Sequence, residues 1–183
     1  MPEPPDDQLL IEMFAVPEKR NQAFKLLMEK YQRRIYFHIR KMVIDHDDAD
    51  DVTQNTFIKI YYGLENFRGE SQLFTWMYRI ATNESLVFLN AKKKRNSISI
   101  DESEISLPAH HDHDPLLSGD KMERKLLKAI DTLPDKQKLV FNMKYFDNLK
   151  YEEISEILGT SVGALKASFF HAVNKIEKIL GED

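Results

Sequence analysis

Apolar residues recur three or four positions apart through most of the first ninety positions, a spacing typical of amphipathic helices. Pro17 stands between the first two predicted helices, where proline is tolerated at a helix start. The loop Asn66–Ser71, which contains Gly69, precedes a helix dense in aromatic residues. The helices predicted in this half are Asp6 or Asp7 to Phe14, Glu18 to Ile44, one that begins within Asp45–Asp51 and runs through Phe67, and Gln72 to about Ala91.

After a gap without periodicity the helical spacing returns, and it ends in two helices joined by a tight turn. The first of the two stops at Gly159, because glycine adopts the left-handed dihedral angles that a helix end requires. Ser161 is placed to cap the second, which extends to about Leu180. Two further helices precede the pair, at about Asp120–Asp131 and Pro134–Phe146. The apolar stripe of the last helix is Val162, Leu165, Phe169, Val173, Ile176 and Leu180.

Two helices joined by a three-residue glycine turn form a helix-turn-helix, whose second helix enters the major groove of DNA. An ordinary helical hairpin has the same pattern, so the turn alone leaves both interpretations open. Small residues away from the stripe favour the DNA interpretation, because they let the helix approach the bases. The residues on or beside that face are Ala164, Lys166, Ala167, Ser168, His171 and Lys175.

Residues 96–118 contain five acids, no Lys or Arg and no periodicity, which predicts a flexible acidic linker. The predicted fold class is therefore all-α, with helical domains at about 6–92 and 119–181 on either side. The net charge of −4 is unevenly distributed: residues 19–95 carry fifteen Lys and Arg against nine Asp and Glu, and residues 1–18 carry five acids and no base. A positive block between acidic segments indicates that residues 19–95 meet a polyanion.

Composition argues against several classes of site. The chain has no cysteine, so no disulfide or thiolate metal site is expected, which fits the cytosol. No apolar run approaches about 18 residues, so no membrane span is expected. Residues 1–18 are too acidic to resemble a signal peptide. There is no glycine-rich phosphate loop and no nucleophile–His–acid pattern, so neither a cofactor nor a catalytic site is predicted.

Two acidic stretches invite a metal interpretation. Asp45–Asp51 has the sequence DHDDADD, and carboxylates bind Mg²⁺. The favoured interpretation is a turn and a helix N-terminus, where acids interact with the positive end of the helix dipole. His110–Asp114, with the sequence HHDHD, lies in the predicted linker, where a chelating site would lack structural support. No metal site is predicted at either.

Three stretches, in this order, resemble the extracytoplasmic-function (ECF, group 4) sigma factors of bacterial RNA polymerase, in the sigma-70 family. Residues 48–61, DADDVTQNTFIKIY, are similar to the helix with which the family binds the polymerase clamp. Residues 67–69, FRG, and 74–83, FTWMYRIATN, are similar to its promoter-melting segment. Residues 133–134, LP, and 144–163, KYFDNLKYEEISEILGTSVG, are similar to its −35-binding domain. The resemblance covers nearly the whole chain.

The resemblance implies sigma region 2 at 1–95, a linker at 96–118 and region 4 at 119–183, with no catalysis. Such a factor acts in the cytoplasm, binds core RNA polymerase and promoter DNA, and often has an anti-sigma factor as a further partner. Residues on one polar strip would contact the polymerase: Asp51, Gln54, Asn55 and Ile58. The residues implied at the −10 element, where an extruded base is captured, are Phe67, Arg68, Ser71, Trp76, Arg79 and Asn83.

The chain departs from the family at several of its DNA-binding positions. The residues implied at the −35 element are Ser161, Ala164, Lys166, Ser168, His171 and Lys175. Ser168 and His171 stand where the family commonly has arginine, so an unusual −35 sequence or a weak affinity is expected. Asn55 replaces a common acid and Asn90 a common arginine.

Two other hypotheses compete with the sigma factor. A helix-turn-helix regulator that binds an operator as a dimer explains residues 119–180 but leaves the aromatic and cationic segment 67–95 unused. A metal-dependent phosphohydrolase built on Asp45–Asp51 leaves the helix-turn-helix unexplained. Co-purification with core polymerase separates the sigma factor from the regulator, and Mg²⁺-dependent hydrolysis lost in Asp47→Asn identifies the hydrolase.

Overall fold

The structure, a computed structural model, describes residues 5–99 and 121–181. Within these ranges it contains helices and turns and no strand, which confirms the predicted all-α fold class. The chain divides into two compact units, Met1–Asn90 and Ala91–Asp183. The helices are α1 (Asp7–Ala15), α2 (Arg20–Val43), α3 (His46–Leu64), α4 (Leu73–Ser99), α5 (Lys121–Asp131), α6 (Asp135–Tyr145), α7 (Tyr151–Leu158) and α8 (Val162–Gly181), with a 3-10 turn at Pro17–Lys19.

The core of the first unit lies between α2, α3 and α4. The buried apolar side chains that fill it include Leu27, Tyr31, Ile35, Ile39, Val52, Phe57, Ile60, Met77, Tyr78 and Ala81. A buried hydrogen bond of 2.9 Å between the His38 ring and the Thr82 hydroxyl joins α2 to α4. An ion pair of 2.6 Å between Lys59 and Glu84 joins α3 to α4. These contacts fix the orientation of the outward faces of α3 and α4.

One carboxylate holds α1 against α2. Asp7 accepts a hydrogen bond of 2.6 Å from the Tyr31 hydroxyl and one of 2.7 Å from the Lys30 ammonium. Burial of the ring and the hydrogen bond to Asp7 raise the pKa of Tyr31 well above its ordinary value of 10.0. With α1 fixed in this way, Leu10 and Phe14 are buried.

The fourth helix is longer than the sequence predicts. The expected end is near Ala91 and the expected linker starts at residue 96, but α4 continues to Ser99. No glycine or proline occurs between Gly69 and Pro108, and the Lys and Arg residues at 92–95 are good helix formers, so nothing near Ala91 stops the helix. The first four residues of the predicted linker are therefore helical. The rest of it, with the His110–Asp114 stretch, lies outside the described residues.

In the second unit, α8 packs against α5, α6 and α7. Its largest core cluster consists of Ala129, Ile130, Leu133, Phe141, Ala172 and Ile176. The Phe141 ring of α6 stacks on the Phe169 ring of α8, with the ring centres 5.7 Å apart. A largely buried ion pair of 2.6 Å between Lys138 and Asp131 joins α6 to α5. None of the helices in the described ranges has the length and apolarity needed to cross a membrane.

Candidate functional site

The acidic stretch Asp45–Asp51 forms the first turns of α3. The sequence predicts a helix that begins within this stretch and runs through Phe67, and α3 begins at His46 and ends at Leu64. The Asp45 carboxylate caps it by accepting a hydrogen bond of 3.0 Å from the Asp48 N–H, which confirms the predicted turn and helix N-terminus. In the parts of the chain that the structure describes, no group of three or more His, Cys, Asp or Glu side chains is placed to hold a metal ion.

The outward face of α3 carries the four residues predicted to bind core polymerase. Asp51, Gln54, Asn55 and Ile58 follow one another at positions i, i+3, i+4 and i+7, and all four are exposed. The opposite side of the helix, with Val52, Phe57 and Ile60, is buried in the core. The structure therefore places the four predicted residues on a single accessible surface.

Sequence reasoning missed one member of this face. Tyr62 lies one turn beyond Ile58, and the two side chains are 69% and 49% exposed. Its neighbour Tyr61 packs instead against Phe14 and Phe24, with ring centres 5.4 and 4.9 Å apart. The spacing of four residues from Ile58 is the signal that could have identified Tyr62, because it continues the polar strip rather than the apolar stripe.

Two aromatic residues predicted at the −10 element are in contact. The rings of Phe67 and Trp76 have centres 5.1 Å apart, and both residues are half-buried. Gly63 of α3 makes room for this pair: a methyl group at Gly63 would come within 2.9 Å of the Trp76 ring. The indole therefore lies close against the α3 backbone, and the loop after α3 is held beside the start of α4.

The other predicted −10 residues border this aromatic pair. Arg68 is exposed and Ser71 half-buried in the loop, whose chain reverses at Gly69 with a positive φ of 71°. Arg79 and Asn83 are exposed on α4, three and seven residues after Trp76, and so share its face. Two exposed apolar residues that sequence reasoning missed, Leu86 and Val87, continue the same face.

The turn between α7 and α8 matches the predicted helix-turn-helix in its local geometry. Gly159 ends α7 in the left-handed conformation, with φ 62°. The Ser161 hydroxyl oxygen accepts a hydrogen bond of 3.3 Å from the Ala164 N–H and so caps α8. Ser161, although predicted at the −35 element, thus has a local role at the start of the helix.

The predicted −35 residues on α8 lie in different environments. Ala164, Lys166 and His171 are exposed, whereas Ser168 is half-buried. The Lys175 ammonium donates a hydrogen bond of 2.6 Å to the Thr132 carbonyl, at the end of α5. The Lys166 ammonium lies 5.7 Å from the centre of the Tyr151 ring. Both lysines on this helix face therefore already have partners within the second unit.

Sequence reasoning also missed the largest side chain on the outward face of α8. Phe170 is 61% exposed and lies beside His171, whereas its neighbour Phe169 packs inward. Helical spacing distinguishes the two residues, because Phe169 belongs to the apolar stripe and Phe170 does not. An exposed phenylalanine among small residues offers an apolar contact that the predicted polar set lacks.

Comparison with protein families finds two matches, the first mainly in the first unit and the second within the second unit. Residues 27–95 match the sigma-70 region 2 family, and residues 123–176 match the family described as sigma-70, region 4. The first match contains α3, the loop and the aromatic part of α4. The second contains the helix-turn-helix.

Several characterised proteins are similar along nearly their whole length. The RNA polymerase sigma-H factor of Pseudomonas aeruginosa is 33% identical over 182 residues, covering 95% of this chain and 93% of that protein. The ECF RNA polymerase sigma-E factor of Haemophilus influenzae is 33% identical over 180 residues, with 93% of each chain covered. The ECF RNA polymerase sigma-E factor of Escherichia coli K12 is 31% identical over 179 residues, covering 93% of this chain and 92% of that protein.

Two solved structures share the fold. CnrH, solved in complex with the cytosolic domain of CnrY, has a TM-score of 0.70 at 20% identity and covers 97% of this chain and 98% of that one. The sigma factor RpoE of Bartonella quintana, solved with the anti-sigma factor NepR, has a TM-score of 0.67 at 21% identity and covers 87% and 98%.

Proposed function

We propose that this chain, which belongs to the extracytoplasmic-function group of the sigma-70 family, meets its partners through three helix faces. It is a transcription initiation factor that directs RNA polymerase to promoters. The match of residues 27–95 to sigma-70 region 2 favours this function over a helix-turn-helix regulator that works without polymerase. The proposal assigns one partner surface to each of α3, α4 and α8.

The outward face of α3 is the proposed contact with core polymerase. Polar side chains, among them Asp51, Gln54 and Asn55, surround two exposed apolar ones, Ile58 and Tyr62. A polar rim around a small apolar centre is the usual composition of a protein interface. Tyrosine is common among the residues that contribute most to binding. The face is rigid, because the opposite side of α3 is buried in the core.

The loop and the start of α4 form the proposed −10 surface. Phe67 and Trp76 supply aromatic rings, which stack on unpaired bases. Arg68 and Arg79 supply cations for the phosphates, and the Asn83 amide both donates and accepts hydrogen bonds at a base edge. Bases that have left the duplex need such contacts to offset the lost stacking and pairing.

The outward face of α8 is the proposed −35 surface. Ala164 and Ala167 allow close approach to the major groove, and Lys166, Phe170 and His171 border them. Phenylalanine makes apolar contact with a thymine methyl group, and the His171 ring offers a hydrogen bond to a base edge. The half-buried Ser168 and the tethered Lys175 lie beside this surface and make smaller contributions.

Regulation and location form the remaining part of the proposal. The RpoE structure, a neighbour in fold, contains a sigma factor bound by an anti-sigma factor, and the same class of partner is proposed here. The chain acts with polymerase on DNA, so the proposed location is the cytoplasm. It supplies binding and positioning, and no catalytic step or cofactor is assigned to it.

The observation that carries the proposal is that the predicted site residues of α3 lie on one face of that helix and those of α4 on one face of theirs. Sigma factors are similar to this chain over nearly its whole length. Run-off transcription with purified core polymerase tests it, using DNA from a randomised pool and from the region upstream of the protein's own gene. Discrete transcripts are expected only when the chain is added. The proposal would be overturned if no transcript is made from either DNA and the chain forms no stable complex with core polymerase.

A further inference from the structure

Two apolar side chains of α4, Leu86 and Val87, are exposed to solvent. Their exposed fractions are 39% and 62%, whereas Met77 and Tyr78 earlier in the helix are buried. Single exposed apolar residues are common on protein surfaces and need no special explanation. The position of this pair on the helix, rather than its exposure, therefore decides whether it has a role.

The pair continues the face that carries the proposed −10 contacts. Leu86 and Val87 lie three and four residues after Asn83, and seven and eight after Arg79. Residues at these spacings are neighbours on the surface of a helix. One turn of α4 advances 5.4 Å, so the pair lies within two base steps of any base that Asn83 contacts.

We propose that Leu86 and Val87 recognise a thymine of the promoter through its C5-methyl group, next to the bases contacted by Arg79 and Asn83. The inference rests on the proposed function, in which this face of α4 meets the −10 element. The methyl group of thymine is the apolar group that base pairs present in the major groove, and aliphatic or aromatic side chains contact it there. Neither side chain can form a hydrogen bond, so the pair favours thymine and leaves the polar edges of the other bases unsatisfied.

The surroundings of the pair favour DNA over a protein partner. Charge distinguishes this face from the outward face of α3, which carries the acid Asp51 near its two exposed apolar residues. On α4, exposed polar residues flank the two apolar ones on the same face: Arg79, Asn83 and Asn90. The sequence Lys-Lys-Lys-Arg at 92–95, farther along the same helix, adds positive charge that attracts phosphate. A small apolar spot in a cationic, polar face fits one methyl group.

The test removes that methyl group without changing base pairing. A promoter is first selected from a randomised pool by run-off transcription with the holoenzyme. Each thymine in and just upstream of its −10 element, on either strand, is then replaced singly by deoxyuridine. One replacement is expected to lower open-complex formation about fourfold, the factor that corresponds to roughly 0.8 kcal/mol for one buried carbon group. The other replacements are expected to have no effect.

Variants identify the side chains responsible. Val87→Ala and Leu86→Ala holoenzymes should lose the difference between thymine and deoxyuridine at that position, and Val87→Ile should retain it. Val16→Ala is the matched control, because Val16 is an exposed valine (39%) outside the proposed surfaces, and it should retain the difference as well. Affinity for core polymerase should be the same for all four variants.

Three outcomes would overturn the inference while leaving the proposed function intact. The first is a selected promoter without thymine in this region, and the second is a thymine whose replacement has no effect in the wild-type holoenzyme. The third is Val87→Ala weakening the complex with core polymerase while the deoxyuridine effect persists, which would make the pair a protein contact. A wild-type holoenzyme that selects no promoter at all would instead contradict the proposed function.

Discussion

At the scale of single residues, the exposed apolar side chains of the outward α3 face, Ile58 and Tyr62, are expected to contribute more to polymerase affinity than the polar ones. Tyr62→Ala removes the most exposed aromatic side chain of this face and is expected to weaken core polymerase binding by about 1–2 kcal/mol, roughly five- to thirtyfold. Gln54→Ala and Asp51→Ala should weaken it less, because polar residues at the rim contribute less. Competition of each variant with the wild-type chain for a limiting amount of core polymerase measures the affinity.

These substitutions should leave the folded structure intact, because the side chains are exposed. Gln32→Ala, an exposed glutamine on α2, is the control and should compete as the wild type does. If Tyr62→Ala and Gln54→Ala both compete equally with the wild type, the outward face of α3 is not part of the polymerase interface.

The Asp7–Tyr31 contact makes stability depend on pH in the alkaline range. The pKa of Tyr31 is raised in the folded state by burial and by the hydrogen bond to Asp7, from an ordinary value of 10.0. Above about pH 10 the unfolded chain loses the Tyr31 proton while the folded chain keeps it, so the contribution is complete below that pH and is lost as the pH rises. The free energy of unfolding should fall by up to about 1.4 kcal/mol per pH unit from this residue alone.

Tyr31→Phe separates this effect from the titration of other groups. The variant loses one hydrogen bond and should be less stable by about 1–2 kcal/mol at neutral pH. Its stability should nevertheless fall less steeply than that of the wild type above pH 10. Urea denaturation at pH 8 to 11 measures both, and parallel curves for the two proteins would show that Tyr31 has no part in the alkaline loss.

Helical spacing in the sequence indicates which side of a helix each residue is on. It does not show how exposed a side chain is or which distant residue it contacts. Periodicity marks Tyr62 and Phe170 as lying off the apolar stripes, but it does not show how exposed they are. The bond from Lys175 to the Thr132 carbonyl joins residues that are far apart in the chain, so no local pattern predicts it. The sequence assigns Lys175 to the −35 surface from its position on the helix and from the family resemblance, and neither of these shows the bond to Thr132.

At the scale of elements, the two glycines around the turn of the helix-turn-helix should respond oppositely to the same substitution. Gly159 has a positive φ of 62°, so Gly159→Ala is expected to destabilise the protein by about 1–2 kcal/mol. Gly163 lies within α8, where an added methyl group meets no atom, so Gly163→Ala should stabilise it by about 0.5 kcal/mol. Thermal unfolding monitored by circular dichroism measures both changes.

Gly163→Ala should also weaken promoter binding, because its methyl group would stand between the outward face of α8 and the bases. Stability and DNA affinity would then move in opposite directions in one variant. Gly181→Ala, at the far end of α8 and also in open space, is the control and should leave DNA affinity unchanged. A Gly163→Ala variant with full DNA affinity would exclude this end of α8 from the groove.

Element boundaries were predictable where a residue has a strong local preference. Gly159, Ser161 and Pro17 mark helix ends in the sequence and do so in the structure. The end of α4 was predicted wrongly, since a change in composition near Ala91 was interpreted as a change in structure. Lysines and arginines there continue the helix to Ser99, because no residue prevents it.

At the scale of the whole molecule, the two DNA-binding parts of the chain differ in net charge, and the difference fits their proposed roles. Residues 19–95 have six more Lys and Arg than Asp and Glu, whereas residues 119–183 have eleven of each. The part proposed to open the duplex therefore carries the sequence-independent attraction to phosphate, and the part that holds the helix-turn-helix carries little. This asymmetry can be counted directly in the sequence, and the structure adds which helix faces are accessible.

The last prediction is that the −10 element limits initiation more strictly than the −35 element. Six residues were implied at −35, and none is the arginine that makes the bidentate contact with guanine. Two of them are lysines engaged within their own unit, Lys166 beside Tyr151 and Lys175 on the Thr132 carbonyl. The Phe67–Trp76 pair and the exposed Asn83 can contact bases outside the duplex, where every edge is accessible.

Transcription from promoters with single-base changes tests this ranking. Changes at −10 should lower initiation by a factor that corresponds to about 1–3 kcal/mol per contact, and changes at −35 by less. Exchanging the loop Asn66–Ser71 with that of a relative should change the −10 preference and leave the −35 preference as it was. If a single −35 change abolishes initiation while −10 changes have no effect, selectivity lies in α8. If the −10 preference is unchanged after the loop exchange, the loop does not contact the base.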